Sequence, residues 1–372
     1  MNFEYSDEQQ QLDDSLRKYL AQNYGFEQRK ANLQSAGGSS AQAWAAFAEM
    51  GLTAIALPEA DGGFGGGAMD LMPVMEACGA ALVVEPLLDH VGLAARLVAC
   101  AGSDAQRGEL LPGAIDGRSV LTLAYLEPGQ RYELVPQSTM ARAEGGGWVL
   151  DGAKCVVVGA PLAARLLVSA RTAGGVSLFV VDPRAAGVTL NPYRTVDGQR
   201  AADLRFAGVR LGAAALLGAA GEALPLLDEA VDFATALQCA DAVGAMQFAN
   251  ETTLDYLKTR KQFGVPIASF QVLQHRMVEM FIQTEQARSM AILAASKVDA
   301  GLPAAQRQRA VSGAKIRIAD AARHVSQEAV QLHGGMGMTE ELKVSHTFRR
   351  LTTIGQRFGD ADHHLQRYAS LG

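Results

Sequence analysis

The periodicity of the apolar residues changes twice along this chain of 372 residues. In residues 1–117 the apolar side chains recur at helical spacing, as at Leu16 and Leu20. In residues 118–222 they fall in short runs rich in β-branched residues, separated by Gly, Pro, Asp and Asn turns. The helical period returns in residues 223–372. This order predicts an α+β protein of three domains with these bounds, and it does not fit a fold built from alternating strand–helix units.

Two helix boundaries are marked by their residue types. Ser6 and Gln9 have the spacing of a capping box, in which each side chain satisfies a backbone amide of the other. Trp44 and Phe47 belong to an apolar helical stripe that Gly51 follows. Glycine is favoured there because helices often end in a left-handed residue.

The composition excludes several classes of protein. Hydrophobic residues make up 49% and charged residues 19%, which supports large buried cores. The net charge of −6 and the lack of a basic stripe disfavour a nucleic-acid-binding protein. We expect no membrane span and no signal peptide, and therefore a cytoplasmic protein. The cysteines form no CxxC or Cys/His pattern, so we predict neither a metal site nor a disulfide framework; they are Cys78, Cys100, Cys155 and Cys239.

A break between two helical stretches at residues 260–275 concentrates groups that suit a nucleotide. Arg260 offers a planar fork of donors for phosphate oxygens, and Phe263 can pack beside a heteroaromatic ring. Gln271 and Gln274 lie three residues apart on one helical face, where their amides can contact a ring edge. The alternative is an ordinary interhelical turn with a solvated arginine and lysine.

A second break follows at residues 331–337. Here Gly334 and Gly335, next to His333, let backbone amides approach an anion closely. The alternative is a helix stop followed by a flexible turn.

A third cluster spans Asp360 to His364, with two carboxylates and two imidazoles. These residue types suggest a metal, but metal sites in helical bundles usually need Glu-x-x-His pairs on facing helices, and no such pair is found. The alternative is an acidic first turn that opens the last helix favourably for the helix dipole.

Taken together, these segments resemble the acyl-CoA dehydrogenase family. Residues 260–271 match the family pattern Arg-x-x-Phe-Gly-x-x-Ile-x-x-Phe-Gln, and residues 331–337, with Glu340 after them, match Gln-x-x-Gly-Gly-x-Gly. The resemblance implies an N-terminal helical domain, a middle β-barrel and a C-terminal four-helix bundle that mediates oligomerisation. It also implies FAD as cofactor, an acyl-CoA substrate and an electron-transferring flavoprotein as electron acceptor.

The resemblance also assigns residues to the cofactor. In the family, the segment at residues 260–275 reaches across a dimer interface to the adenine and pyrophosphate of a neighbour's FAD. Asp362 and His364 match positions near the flavin pyrophosphate, where the family more often has Thr and Gln. The implied contacts are Arg260, Gln262, Phe263, Gln271, Gln274, Gln331, His333, Gly334, Gly335, Glu127, Pro128, Asp362 and His364.

The implied reaction, an α,β-dehydrogenation, needs a base to remove the α-proton of the thioester. The family's catalytic glutamate lies seven residues before the arginine of a Gln-Arg pair, and counting back from Arg367 gives Asp360. Some branches place the base on the first helix of the C-terminal domain, where this chain has Ala234 with Asp232 nearby. We predict Asp360 as the base, one methylene shorter than the family's glutamate.

Two loops of the strand-rich domain depart from the family. The first loop reads Thr-Glu-Pro-x-Ala-Gly-Ser-Asp in the family, and this chain keeps its Glu and Pro as Glu127 and Pro128. The second loop reads Lys-x-Trp-Ile-(Thr/Ser)-Asn in the family, and here Val156 stands in place of the ring-stacking tryptophan. This pattern resembles the small subunits of bacterial heteromeric acyl-CoA dehydrogenases of the pimeloyl-CoA and steroid side-chain types, and it predicts a homo- or heterotetramer. Two alternatives stay open: a catalytically silent subunit that completes a partner's FAD site, and a flavin monooxygenase or oxidase.

Overall fold

A computed structural model describes residues 5–371 of the protein. The N-terminal third is helical, and the boundary signals at both predicted positions are confirmed. Ser6 Oγ accepts from the Gln9 amide at 3.2 Å, and Gln9 Oε1 accepts from the Ser6 amide at 2.9 Å. Gly51 has φ +78°. The helices are α1 (Asp7–Asn23), α2 (Phe26–Gln34), α3 (Ala41–Glu49), α4 (Ala68–Ala81), α5 (Arg96–Ala101) and α6 (Asp104–Ile115), with a π-helical segment at Leu88–Ala95.

Eight strands follow and form one sheet. They are β1 (Val120–Ala124), β2 (Met140–Glu144), β3 (Gly147–Val158), β4 (Ala163–Thr172), β5 (Gly175–Val181), β6 (Val188–Arg194), β7 (Arg200–Leu211) and β8 (Leu216–Leu217). The strand order is β6-β7-β3-β2-β4-β5-β8, with β1 parallel to β4. The other pairs are antiparallel, except for the single parallel pair of residues between β2 and β4.

The last part of the chain returns to helices, as the periodicity predicts. These are α7 (Leu224–Thr259), α8 (Gln271–Asp299), α9 (Ala304–His333), α10 (Lys343–Gln356) and α11 (Ala361–Ser370). A small hairpin of β9 (Lys261–Gln262) and β10 (Val265–Pro266) separates α7 from α8. A 3₁₀ turn, Gly334–Met338, follows α9.

The chain divides into two compact units. The first, the helical unit, comprises the residues up to Arg29, Ala68–Val83 and the residues from Thr235 onwards. Within it α9 packs against α8, α10 and α11, and a buried ion pair between Asp241 and Arg350 joins α7 to α10. The three-domain division at residues 117 and 222 stays a prediction.

The second unit, the sheet unit, comprises Lys30–Gly67 and Val84–Ala234. Alternate residues of its strands point to one shared core, which includes Leu150, Leu166 and Phe179. Trp148 packs edge-on against Phe179, with ring centroids 5.2 Å apart. The sheet therefore has its own apolar core.

Candidate functional site

The break at residues 260–266 is a two-residue β-hairpin. Gln262 pairs with Val265, and the central residues Phe263 and Gly264 have φ +55° and +83°. Positive φ at both central positions is the conformation that fits the twist of a tight hairpin. A bulky residue rarely adopts it, and such strain costs ~1–3 kcal/mol. Phe263 is 92% exposed, so the hairpin holds an aromatic ring out in solvent.

The polar residues around this hairpin are all exposed. Arg260 lies at its base, where its carbonyl accepts from the Ile267 amide at 2.9 Å. Gln271 opens α8, and Gln274 Nε2 donates to the Ala268 carbonyl at 2.8 Å. Gln262 is also exposed, and its Nε2 donates to the carbonyl of its neighbour Lys261 at 2.8 Å. The hairpin and the start of α8 thus form one polar surface around an exposed ring, on the helical unit.

The glycines after α9 have different roles. A Cβ at Gly334 or Gly335 would meet no heavy atom of the described chain within 4 Å, so both leave room for a ligand to approach the backbone. A Cβ at Gly337 would lie 2.6 Å from the Val330 carbonyl oxygen, so this glycine serves packing. Gln331 is exposed. The Gly334–Gly335 backbone fits the anion-binding role that the sequence predicts for it.

His333 is buried instead of exposed at this helix end. It is 2% exposed, its ring stacks on Tyr256 at 4.5 Å, and its Nδ1 donates to the Ala329 carbonyl at 2.8 Å. Burial lowers the pKa of His333, which keeps the ring neutral. Within the described residues Nε2 has no hydrogen-bond partner. The ring supports the helix end beneath the two glycines.

Asp360 lies in the loop between α10 and α11 and caps the N-terminus of α11. Its Oδ1 accepts from the His363 amide at 2.9 Å. The side chain is half-buried and lines a cavity of about 360 Å³ between α9, α10 and α11. Arg323 and Gln327 line the same cavity, and so does Asp362, which is exposed. The predicted base therefore has access to a cavity, whereas Asp232 is 0% exposed.

The loop before Asp360 has an unusual backbone. Phe358 has φ +61°, and Gly359 has φ +123°. A Cβ at Gly359 would lie 2.5 Å from His364 Nε2, so only glycine fits. Phe358 is 6% exposed, and Arg357 stacks over its ring at 4.6 Å. Such a backbone persists only when its surroundings hold it.

His364 is one of the groups that hold this loop, and its predicted contact with a cofactor stays a prediction. It is 1% exposed, its Nε2 donates to the Phe358 carbonyl at 3.1 Å, and its Nδ1 accepts from Ser312 Oγ at 3.2 Å. Burial, followed by the charge of Lys315, lowers the pKa of His364 to about 2. The ring is neutral, and its two nitrogens are both used within the fold.

In the sheet unit, the Glu127 side chain points inward, and the predicted contact of this residue with a cofactor stays a prediction. The residue is 1% exposed. Its Oε2 accepts from the Gln137 amide at 2.9 Å and from the Ser138 amide and hydroxyl at 2.7 and 2.9 Å. Its Oε1 accepts from the Thr139 amide at 2.9 Å and from Lys154 Nζ at 3.0 Å. This carboxylate holds the residue 137–139 loop to β3, while its neighbour Pro128 is exposed.

Lys154 completes this network. It is 0% exposed, and its ammonium also donates to the Tyr125 carbonyl and to Ser169 Oγ, both at 3.1 Å. Burial lowers the pKa of Lys154 to about 8, against the opposing effect of Glu127. Burial acts to raise the pKa of Glu127, but the hydrogen bonds from Ser138, Thr139 and Lys154 hold it well below its ordinary range. Both groups are charged at neutral pH, and their hydrogen bonds go to groups of the sheet unit.

Val156, which stands where the family has its tryptophan, lies at an irregularity in β3. The pairing of β3 with β7 shifts register between Lys154 and Val157, and Val156 has φ +51°. Its side chain is 47% exposed, and its amide donates to Asp203 Oδ1 at 3.1 Å. The bulge presents position 156 outward but supplies no ring for stacking.

These observations decide how far the residues fit FAD. On the helical unit, the exposed Arg260, Phe263 and glutamines and the open Gly334–Gly335 backbone fit a dinucleotide. On the sheet unit, the side chains of Glu127 and Lys154 are turned inward, and Val156 offers only an aliphatic group. The half of the site on the helical unit fits, and the side chains of the other half do not.

Residues 5–371 lack two kinds of feature. No group of three or more His, Cys, Asp or Glu side chains is placed to hold a metal ion in this range. None of its helices is long and apolar enough to cross a membrane.

Known proteins match the chain along nearly all of its length. Three family models match: the N-terminal domain of acyl-CoA dehydrogenase at residues 6–118, its middle domain at 122–209 and its C-terminal domain at 221–367. The acyl-CoA dehydrogenase FadE12 of Mycobacterium tuberculosis is 32% identical over 92% of this chain and 90% of that protein. The probable acyl-CoA dehydrogenase YngJ of Bacillus subtilis is 28% identical over 96% of each.

Two solved structures are also similar. The Tcur3481-Tcur3483 steroid acyl-CoA dehydrogenase variant has a TM-score of 0.89 at 30% identity, over 98% of this chain and 97% of that one. The ChsE4-ChsE5 complex of Mycobacterium tuberculosis has a TM-score of 0.91 at 25% identity, over 100% and 98%. The predicted family and fold class are confirmed. This chain belongs to the acyl-CoA dehydrogenase family of FAD-dependent oxidoreductases.

Proposed function

We propose that this protein takes part in the α,β-dehydrogenation of an acyl-CoA thioester to the enoyl-CoA, as one subunit of an oligomer with a related chain. The observation that carries this proposal is Asp360, a half-buried carboxylate that lines a cavity at the position of the family's catalytic glutamate. In the reaction, Asp360 takes the α-proton, and the electrons of that C–H bond form the new double bond. Bound FAD would supply the acceptor for the β-hydrogen, which leaves as hydride.

We propose that the helical unit binds the adenine and pyrophosphate end of an FAD held largely by a neighbouring chain. Arg260 would contact a phosphate, Phe263 would pack on the adenine end, and the open backbone at Gly334–Gly335 would let the pyrophosphate approach. Their exposure supports a role towards another chain: Arg260 and Phe263 are exposed, and a Cβ at Gly334 or Gly335 would meet no heavy atom of the described chain within 4 Å. The same surface includes Gln262, Gln271, Gln274 and Gln331, and Asp362 is proposed as a further contact.

The proposal also concerns the chain with which this protein assembles. Because the side chains of Glu127 and Lys154 are committed to the sheet unit, this chain supports a neighbour's flavin better than its own. The similar ChsE4-ChsE5 structure is a complex. We therefore favour a heterotetramer over a homotetramer, with an electron-transferring flavoprotein as the electron acceptor.

The ratio of flavin to chain tests this proposal. The chain is purified alone and together with a typical acyl-CoA dehydrogenase chain, and the flavin absorbance is compared with the protein concentration. We expect clearly less than one FAD per chain alone and a loaded flavin in the assembly. One FAD per chain in the isolated protein would contradict both the heteromer and the silent-subunit alternative.

The substrate is tested by anaerobic bleaching of the flavin in the loaded assembly, with acyl-CoA thioesters from short straight chains to branched and steroid side chains. Bleaching with formation of the enoyl-CoA is expected for at least one of them. The monooxygenase or oxidase alternative predicts instead that air rapidly reoxidises the reduced, ligand-bound flavin. A dehydrogenase is expected to resist air and to reduce an electron-transferring flavoprotein.

Arg260→Ala is expected to weaken FAD retention in the assembly by about tenfold or more, because a charge-assisted hydrogen bond is worth about 1.5–3 kcal/mol. The measurement is the flavin retained per assembly after dilution and gel filtration. Lys261→Ala, which removes the exposed charge next in sequence, is the matched control and should retain its flavin. Equal retention in both variants would mean that Arg260 is only a surface residue.

A further inference from the structure

We propose that α9 positions the catalytic carboxylate through two buried anchors, Lys315 and the Ser312–His364 pair, which fix the backbone of the loop that carries Asp360. This inference rests on the proposed role of Asp360 as the base. Of the three anchoring residues, Lys315 and Ser312 belong to none of the sequence motifs.

The first anchor is Lys315, a lysine with no exposed surface. Its Nζ donates to the Ile354 carbonyl at 2.5 Å and to the Arg357 carbonyl at 2.6 Å, and Gln238 Oε1 lies 3.5 Å away. The last carbonyls of a helix lack intrahelical partners, and a cation satisfies them well. Lys315 therefore fixes the last turn of α10 and Arg357, which lies three residues before Asp360.

The second anchor acts one residue further along. Ser312 lies on the same face of α9 as Lys315, three residues earlier, and its hydroxyl holds the neutral ring of His364. The ring then holds the Phe358 carbonyl. The two anchors together secure the carbonyls of Ile354, Arg357 and Phe358, on both sides of the point where the backbone enters positive φ.

The charge of Lys315 supports this role. Burial lowers its pKa to about 8, Cys239 and Asp360 act to raise it, and Arg357 acts to lower it. The amine is therefore mainly an ammonium at neutral pH. A buried ammonium is expensive unless its hydrogens are used, and here one hydrogen bond goes to the last turn of α10 and one to Arg357, directly after it.

Loss of either anchor is expected to affect proton transfer more than the binding of the acyl-CoA. Neither anchor lines the cavity of Asp360, so their loss leaves the cavity walls in place and moves the carboxylate. A displacement of about 1 Å in a catalytic group can lower a rate by about a hundredfold. Loss of an anchor should therefore slow the removal of the α-proton and leave ligand affinity nearly unchanged.

The experiment measures proton removal without dehydrogenation. The flavin-loaded assembly is mixed in D₂O with 3-thiaoctanoyl-CoA, in which sulfur replaces the β-carbon, so that no β-hydride is available. Asp360 takes an α-proton and returns a deuteron, and mass spectrometry follows the exchange. Affinity for the same thioester is measured in parallel.

We compare Lys315→Met with Lys343→Met as the matched control. Lys343 is a half-buried lysine of the helical unit, and desolvation also lowers its pKa to about 8; it donates to the Ala80 carbonyl, away from the loop. Lys315→Met is expected to slow exchange by about tenfold or more and to change affinity by less than about twofold. Lys343→Met should exchange at the wild-type rate.

Each remaining outcome decides a different point. If Asp360→Asn removes exchange but Lys315→Met exchanges at the wild-type rate, the positioning role is overturned and the proposed function stands. If Asp360→Asn exchanges normally, the proposed base is wrong. If Lys315→Met does not fold, Ser312→Ala takes its place, with a smaller but clear slowing expected, and wild-type exchange in that variant overturns the inference.

Discussion

Replacing Asp360 with asparagine is expected to lower the rate of dehydrogenation by about 10²- to 10⁴-fold, the range that a positioned general base contributes. Asparagine has nearly the same size as aspartate, and its amide oxygen can still accept from the His363 amide and cap α11. The loop is therefore preserved while the proton acceptor is lost. The flavin content of the assembly should not change, and single-turnover reduction of the flavin by an acyl-CoA measures the effect.

Asp320→Asn is the matched control for this variant. Asp320 lines the same cavity, but it forms a partly exposed ion pair with Arg323 one helical turn away on α9. Its loss changes the charge of the cavity by the same amount and should leave turnover close to the wild-type value. Full turnover by Asp360→Asn would place the base elsewhere, on Asp232 or on the partner chain, and Asp232→Asn would then distinguish these two.

The features that could be predicted from the sequence are those that local chemistry determines. The capping box of Ser6 and Gln9 needs only the first turn of its helix, and it is present as predicted. The helix breaks within residues 260–275 and 331–337 are visible because Gly, together with Pro in the first, interrupts a helical period. The succession of a helical, a strand-rich and a second helical stretch predicts the fold class, because long periodic stretches are the most reliable signal in a single sequence.

The directions of individual side chains could not be predicted from the motifs. Glu127 belongs to a loop motif, yet its direction is set by the amides of residues 137–139 and by Lys154, which lies 27 residues away in sequence. His364 likewise turns inward because Ser312, on another helix, holds its ring. Contacts this distant in sequence leave no local pattern.

One available signal was missed. Lys315 lies on the apolar face of α9, in line with Val311, Ala314 and Ile318, and Lys154 lies inside an apolar strand. A lysine in such a position must find oxygen acceptors inside the fold, because an unpaired buried charge is not tolerated. Searching for these acceptors would have suggested Glu127 as the partner of Lys154.

The largest expected effect on stability comes from Glu127→Gln. Breaking a buried ion pair by removing one charge typically costs ~3–5 kcal/mol, because the remaining ion stays buried without compensation. Here the amide nitrogen of glutamine would also face either the donors of Gln137 and Ser138 or those of Thr139 and Lys154. We expect the free energy of unfolding of the sheet unit to fall by about this amount, measured by denaturant titration with tryptophan fluorescence. The chain has two tryptophans, Trp44 and Trp148, and both belong to this unit.

The effect of pH provides an independent check on the same carboxylate. The pKa of Glu127 is lower in the folded chain than the ordinary value of 4.5, so below that value the unfolded chain binds more protons than the folded one. Its contribution to stability is complete above pH 4.5 and is lost as the pH falls further, and this loss should be smaller in Glu127→Gln.

Glu144→Gln is the control: this half-exposed glutamate pairs with Arg142 and Arg210, and such surface pairs contribute ~0–1 kcal/mol. Equal stability losses in the two variants would mean that the buried network does not hold the sheet unit together. Adding Lys154→Met to Glu127→Gln should instead recover part of the loss, because the uncompensated ammonium is then removed as well.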